Sequence, residues 1–184
     1  MSEIYLESET MLLRPIEQRD LTLMYCLENN TSMWRASDAV QPMSRGTIMQ
    51  YISSTQSDIY AEHQLRLTIE LRTPVSAAIG FVDLTDFSPR HLRAEVGIGL
   101  LPEFQAKGYG VEALRLLERY AQGVLFLHQL YAYVASDNVG ALSLFEKCGF
   151  KRSGKLTDWL KQGDFYSNIE IFQKIIKKNT PKLC

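Results

Sequence analysis

The sequence predicts a mixed α/β domain, a central sheet covered by helices, and three observations carry that reading. Period-two runs of apolar residues recur through the middle and the end of the chain; two strongly amphipathic period-3.6 stretches interrupt them; and a glycine-bracketed hinge, "QAKGYG" at 105–110, joins a strand run to a helix run. In order, the chain reads strand, two helices, three strands, helix, strand, helix, two strands.

"MLLRPIE" is the first strand. "DLTLMYCLENN" is the first helix, with Asp20 as N-cap and Leu21, Met24 and either Leu27 or Cys26 sharing a face. "NNTSMWRASDAVQPMS" reads as a loop, and "RGTIMQYISSTQSDI" as a second helix that groups Ile48, Tyr51 and Ile52. "QLRLTIEL" alternates with period two, "RTP" breaks it, and "VSAAIGFVDLTDF" returns to complete a hairpin. "RAEVGIGLL" is the next strand. From Gly108 the period changes to 3.6, with Val111, Leu114, Leu117, Ala121 and Val124 as the apolar stripe. "LHQLYAYVAS" is a strand, "NVGALSLFEKC" a helix with Asn138 as N-cap and Gly149 as terminator, and "FKRSGKL" and "YSNIEIFQKII" are the last strands. A single domain over 1–178 and a frayed tail at 179–184 are expected.

A chain of 184 residues can bury a continuous core, and a formal charge of -1 gives no global attraction to nucleic acid, so any anion site must be local. Cys26, Cys148 and Cys184 form no C-x-x-C pair and read as reduced thiols. The acidic "MSEIYLESET" lacks the features of a signal peptide, and no long apolar run predicts a membrane span; the expectation is a cytoplasmic protein with no membrane or nucleic-acid partner. His63, His91 and His128 are not at metal-ligand spacing, so no metal is expected.

A helix N-terminus exposes unpaired N–H groups and a partial positive charge, so the hinge can seat phosphates without a lysine cluster. Gly108 and Gly110 permit unusual backbone angles and close approach, while Gln105 and Lys107 bring donors. Neither the P-loop pattern nor the dinucleotide fingerprint is present. Taken alone, the hinge reads equally as a tight strand-to-helix turn.

Its pairing with "NVGALSLFEKCGF", about 30 residues later, changes this reading. "PEFQAKGYG" resembles the Q/R-x-x-G-x-G acyl-coenzyme A loop of the GNAT superfamily of N-acetyltransferases, and "NVGALSLFEKCGF" resembles that family's N-x-x-A-x-x-L-[YF]-x-K-x-G-F helix. The likeness runs from about Met11 to Lys174, and "RAEVGIGL" and "LHQLYAYVASDN" look most like the spermidine and ribosomal-protein N-terminal branch.

The resemblance implies a mostly antiparallel sheet in which two strands splay apart to hold acetyl-CoA. It implies that Ile98, Gly99, Leu100 and Leu101 run beside the pantetheine arm, a backbone N–H there polarising the thioester carbonyl. Gln105, Ala106, Lys107, Gly108, Tyr109, Gly110 and Val111 would hold the pyrophosphate, with Asn138 and Phe145 contacting the cofactor from the facing helix. Glu95 is the candidate base, with a solvated strand-end carboxylate as the other reading. Phe145 occupies the place of a proton-donating tyrosine, leaving Tyr133, Ser136 or water as acid; Cys148, one turn on, reads as a small core thiol.

The acceptor would be a small amine, a polyamine or a peptide N-terminus, walled by Met33, Trp34, Trp159, Phe165 and Tyr166. Residues 29–45 hold only Asp38 against Arg35 and Arg45, which weighs against a polycation, although Glu28, Asp58, Glu62, Asp158 and Asp164 remain as acids that could converge. A homodimer or larger homo-oligomer is expected by the same resemblance. A non-catalytic acyl-CoA binder is the competing reading, and a kinase-like nucleotide binder lacks its lysine-serine/threonine pair.

Overall fold

The computed structural model describes residues 5–34, 40–55, 58–72 and 76–176. Its elements run β1 (Met11–Pro15), α1 (Leu21–Glu28), α2 (Thr31–Trp34), α3 (Arg45–Ser54), α4 (Ile59–Glu62), β2 (Leu65–Leu71), β3 (Ala77–Ser88), β4 (Arg93–Leu100), α5 (Tyr109–Gly123), β5 (Gln129–Ala135), α6 (Val139–Lys147), β6 (Lys151–Gln162) and β7 (Phe165–Ile175). The strands form one seven-stranded mixed sheet in the order β1-β2-β3-β4-β5-β7-β6. Every pairing is antiparallel except β4 with β5, which α5 connects as the crossover a parallel pair requires.

Alternation along the strands sorts the sheet into two faces. Leu67, Ile69, Val82, Leu84, Ala94, Val96, Leu130, Ala132 and Val134 join Ala113, Leu114 and Leu117 of α5 in the main core. The other face is covered by a smaller cluster, Met24 and Leu27 of α1 with Ile48 and Ile52 of α3, packed on Phe81. Arg66, Thr68, Asp83 and Glu95 alternate with main-core residues and therefore belong to this second face.

Helix α5 begins at Gly108, whose φ of +91° lies in the left-handed region that favours glycine. Helix α6 is capped at both ends: Asn138 Oδ1 accepts from Ala141 N–H at 3.0 Å. At its C-terminus Gly149 adopts φ +82°, while Gly149 N–H donates to Glu146 O and Phe150 N–H to Phe145 O.

The structure departs from the sequence reading at several places. Asp20 stands at the start of α1 but does not cap it; its carboxylate instead accepts two bonds from Arg14, at 2.7 and 2.8 Å, and others from Thr68 Oγ1 and Glu17 N–H. Leu27, not Cys26, is the buried partner of Met24. The second helix stops at Ser54, with α4 starting afresh from an Asp58 cap, and the stretch after Asn30 contains the turn of helix α2. Val124 is exposed beyond the end of α5. The last two strands continue to Gln162 and start again at Phe165, so Trp159, Phe165 and Tyr166 lie on a long hairpin rather than on a loop. The tail at 179–184, Cys184, Arg35 and Asp38 lie outside the described residues.

Candidate active site

β4 and β5 pair at only three positions, Arg93↔Gln129, Ala94↔Leu130 and Glu95↔Tyr131. Beyond Glu95, β4 continues to Leu100 beside β3, while β5 continues to Ala135 beside β7. The two strands therefore part and leave a wedge. Leu101 N–H donates to Ile79 O at 2.9 Å. Because hydrogen-bonded pairs alternate along an antiparallel ladder, Gly99 and Gly97 also address β3, and Val96, Ile98 and Leu100 turn their backbone groups toward the wedge. Leu100 O is occupied there by Gln105 Nε2 at 2.9 Å. The N–H groups of Ile98 and Leu100 stand on the open edge.

At the mouth of the wedge lies the hinge, with Ala106 at φ +58° and Gly108 at φ +91°. The first bond within α5 runs from Glu112 N–H to Gly108 O at 3.2 Å, and no side chain caps the helix. The N–H groups of Tyr109, Gly110 and Val111 are thus the unspent donors of a helix N-terminus, which suits an anion. A Cβ at Gly108 would meet nothing within 4 Å, so the space over the loop is open. Gly110 serves a different purpose: a Cβ there would come within 3.3 Å of Leu144, so its absence lets α5 and α6 close together. Lys107 Nζ lies 5.8 Å from the ring centre of Phe104.

On the second face of the sheet, a cavity of about 220 Å³ reaches Ile98 and Gly99. Leu27, Met33, Trp34 and Phe81 supply apolar walls, and Glu28, Arg66 and Asp83 bring charge. Trp34 is fixed by donation from its Nε1 to Glu28 O at 2.6 Å. Arg66 bonds Asp83 with Nε at 2.7 Å and Nη2 at 3.1 Å, and Glu28 with Nη1 at 2.6 Å. Burial pushes the Asp83 carboxyl above the usual aspartate range, with the charge of Glu28 adding to it, against the pull of Arg66. Glu28 is one of the acids the sequence offered for convergence, and it does line the cavity; Arg66 and Asp83 escaped the sequence reading. A charge in mid-strand, at Arg66 and Asp83, was the available signal.

The remaining predicted residues separate into three groups. Glu95 and Tyr133 flank the point of divergence on the cavity face. Tyr131, between them, donates from its hydroxyl to Asp86; burial, that bond and the charges of Asp86 and Glu95 push its phenol up. Tyr133 packs edge-on to Tyr131 at 5.7 Å and is substantially exposed. Ser136 is drawn to the adjacent strand, donating from Oγ to Asn168 O at 3.1 Å. Asn138 uses its side-chain oxygen as the cap of α6, which leaves its amide nitrogen to donate to a ligand. Phe145 is buried against Phe150 and Phe172, at 5.1 and 5.9 Å between ring centres. Cys148 is likewise buried, which pushes its thiol up. Trp34 lines the cavity; Trp159, Phe165 and Tyr166 are exposed on the distal hairpin and do not line it. Among the described residues, no group of three His, Cys, Asp or Glu side chains is placed to hold a metal ion, and no helix is long and apolar enough to cross a membrane.

A parted parallel strand pair beside an uncapped, glycine-started helix is the architecture that the sequence resemblance implied, and comparison with known proteins agrees. The acetyltransferase (GNAT) domain family matches residues 10–151. The chain belongs to the GNAT acetyltransferase family.

Like other GNAT proteins, it is an acetyl-CoA-dependent acetyltransferase. It is 30% identical over 154 residues to the spermidine N(1)-acetyltransferase of Escherichia coli (strain K12), spanning 81% of this chain and 77% of that one. Among solved structures, it is similar to spermidine N-acetyltransferase from Vibrio cholerae in complex with CoA and spermine, with a TM-score of 0.82, 25% identity, and coverage of 93% of this chain and 98% of that one. A dodecameric structure of the Vibrio cholerae enzyme, in an intermediate state, gives a TM-score of 0.75 at 26% identity, covering 91% and 95%.

Proposed function

We propose that this GNAT protein transfers an acetyl group from acetyl-CoA to a primary amine by direct attack in a ternary complex. The observation that carries the reading is the parting of β4 from β5 after Glu95↔Tyr131, which opens one wedge to two supplies. From the α5 side the uncapped N–H groups at 109–111 receive the pyrophosphate, together with the backbone of Gln105, Ala106, Lys107 and Gly108. The arm of the cosubstrate runs along Ile98, Gly99, Leu100 and Leu101, hydrogen-bonded to the backbone groups that β5 has vacated. From the opposite face the amine enters through the cavity at Gly99. Donor and acceptor then meet across one strand, where no covalent enzyme intermediate is needed.

A protonated alkyl amine must lose its proton before it attacks, which costs about 4 kcal/mol at neutral pH for an ordinary amine pKa. Glu95, on the cavity face of β4, is the base that takes it, directly or through water. An N–H of Ile98 or Leu100 donates to the thioester carbonyl as negative charge develops there. The thiolate of CoA is a tolerable leaving group, so a water or Tyr133 suffices to return the proton; Phe145 has no group to donate. The similarity to spermidine acetyltransferases supports an amine acceptor, and the dodecameric neighbour supports a homo-oligomer for this chain.

Initial-rate kinetics with acetyl-CoA and an amine varied together test the mechanism, with release of CoA thiol as the signal. Intersecting double-reciprocal lines are expected from a ternary complex; parallel lines would reveal an acetylated enzyme and overturn direct attack.

A further inference from the structure

Resting on that reading, we infer that the acceptor is a monoamine with an apolar or aromatic body, not a polyamine, because Arg66 occupies the cavity's two carboxylates and leaves at most one negative charge uncompensated. Among the described residues, the cavity holds one cation, Arg66, against Glu28 and Asp83. Both carboxylates are ionised at most, so the sum is -1; any protonation of Asp83 moves it toward zero. Glu95 is not among the residues that line the cavity and adds nothing to this sum, so within the lining one ammonium can be matched and a second cannot.

The surroundings of the cluster sharpen the point. Leu27, Met33, Trp34 and Phe81 line the same cavity and offer a second or third ammonium no oxygen to replace its water, a costly exchange for a charge. They offer an aryl or alkyl body good burial, and Trp34 is held in place for it by its bond to Glu28 O. Arg66 reinforces the selection by repulsion: both carboxylates hold it in place, so a further cation drawn toward either is opposed by the guanidinium bonded to it. Charge count and apolar lining therefore select the same acceptor class.

The wild-type enzyme is assayed by CoA thiol release with phenethylamine, tryptamine, putrescine, spermidine, spermine and a short peptide with a free apolar N-terminal residue. The kcat/KM of the better arylalkylamine is expected to exceed that of spermidine and spermine at least tenfold. A polyamine that equals or outruns both arylalkylamines overturns the inference while leaving amine acetylation intact, and so does a peptide that outruns them. If no amine accelerates thiol release although acetyl-CoA binds in a calorimeter, the amine-transfer reading falls as well.

Two variants then test the charge count itself. Arg66→Gln leaves two carboxylates unopposed and is expected to move the monoamine-to-spermidine ratio at least tenfold toward spermidine. The double variant Arg66→Gln with Asp83→Asn returns the sum to -1 and is expected to restore the monoamine preference. An unchanged ratio in Arg66→Gln, or a double variant that behaves like the single one, overturns the role given to Arg66. The wild-type panel decides the acceptor class even if either variant fails to fold.

Discussion

Two arginines on the same face of the sheet each hold two carboxylates, yet the two clusters sit in different circumstances. Arg14 of β1 bonds Asp20 and Glu70, and Thr68 completes the group. Arg66 of β2 bonds Asp83 and Glu28. In the first, the side chains of Arg14 and Asp20 are 8% and 1% exposed, so every polar atom must find its partner inside the protein. In the second, Arg66 and Glu28 are 27% and 29% exposed and open on the cavity beside Gly99. The same chemistry thus pins β1 and the entry to α1 onto β2 at one place and lines an open cavity with charge at the other. Stability should be concentrated in the closed cluster and turnover in the open one.

The largest effect is expected where the closed cluster loses a member. Asp20→Ala takes the bidentate carboxylate from Arg14 in a site with little water, leaving Glu70 as its remaining carboxylate, and removes the acceptor of Thr68 and of Glu17 N–H. Breaking a buried pair from one side costs about 3–5 kcal/mol, which urea denaturation would measure. The protein that remains folded should keep its kcat/KM, since Asp20 does not line the cavity. A variant of normal stability and reduced turnover would reverse the roles of the two clusters.

A carboxylate of the same face but of neither cluster comes next. Glu95→Gln removes the proposed base and should lower kcat about a hundredfold and flatten its rise with pH, without weakening acetyl-CoA. If the pH profile is unchanged, Glu95 is a strand-end carboxylate only. Asp83→Asn should do less: about a tenfold loss in kcat/KM, chiefly through KM, with a stability loss well below that of Asp20→Ala. Equal losses of stability in Asp20→Ala and Asp83→Asn would abolish the distinction between closed and open clusters.

These two clusters also mark the limit of what the residues disclosed in sequence. The main core was legible because Leu67, Ile69, Val82, Leu84 and Val96 repeat with period two, and α5 because its stripe repeats with period 3.6. The hinge before α5 was legible because a left-handed Gly108 before a helix is a local requirement. The charged cavity was not: Arg66, Asp83 and Glu28 lie on three elements, and only the register Arg66↔Asp83, with α1 packed above, brings them together. Asp20 misled for the same reason. Its position suits an N-cap, but a buried arginine six residues earlier, on β1, competes for the carboxylate and wins. The hairpin that carries Trp159 was shortened in the sequence reading because Gly154 and the mixed "KLTDWLKQGD" obscure its alternation, and register shifts at Arg152/Gly154 and Leu156/Leu160 are the structural counterpart.

The subtlest contrast between the clusters is in acid. Burial would raise the Asp20 carboxyl, but the hydrogen bonds from Arg14, Glu17 N–H and Thr68 and the charge of Arg14 outweigh it and hold the group below the ordinary aspartate range. A carboxylate lowered by folding contributes stability that is present above its unfolded pKa and is lost as the pH falls through the folded one. Asp83 is displaced the other way, raised by burial, so the native state takes up its proton before the unfolded chain does, and this group adds stability as the pH falls from its raised value toward the ordinary one. In urea titrations from neutral pH into acid, Asp20→Asn should therefore flatten the loss of stability below the ordinary aspartate range, whereas Asp83→Asn should remove a compensating gain above it and make the decline begin at higher pH. Parallel displacement of both curves would mean that the two arginines hold their carboxylates alike.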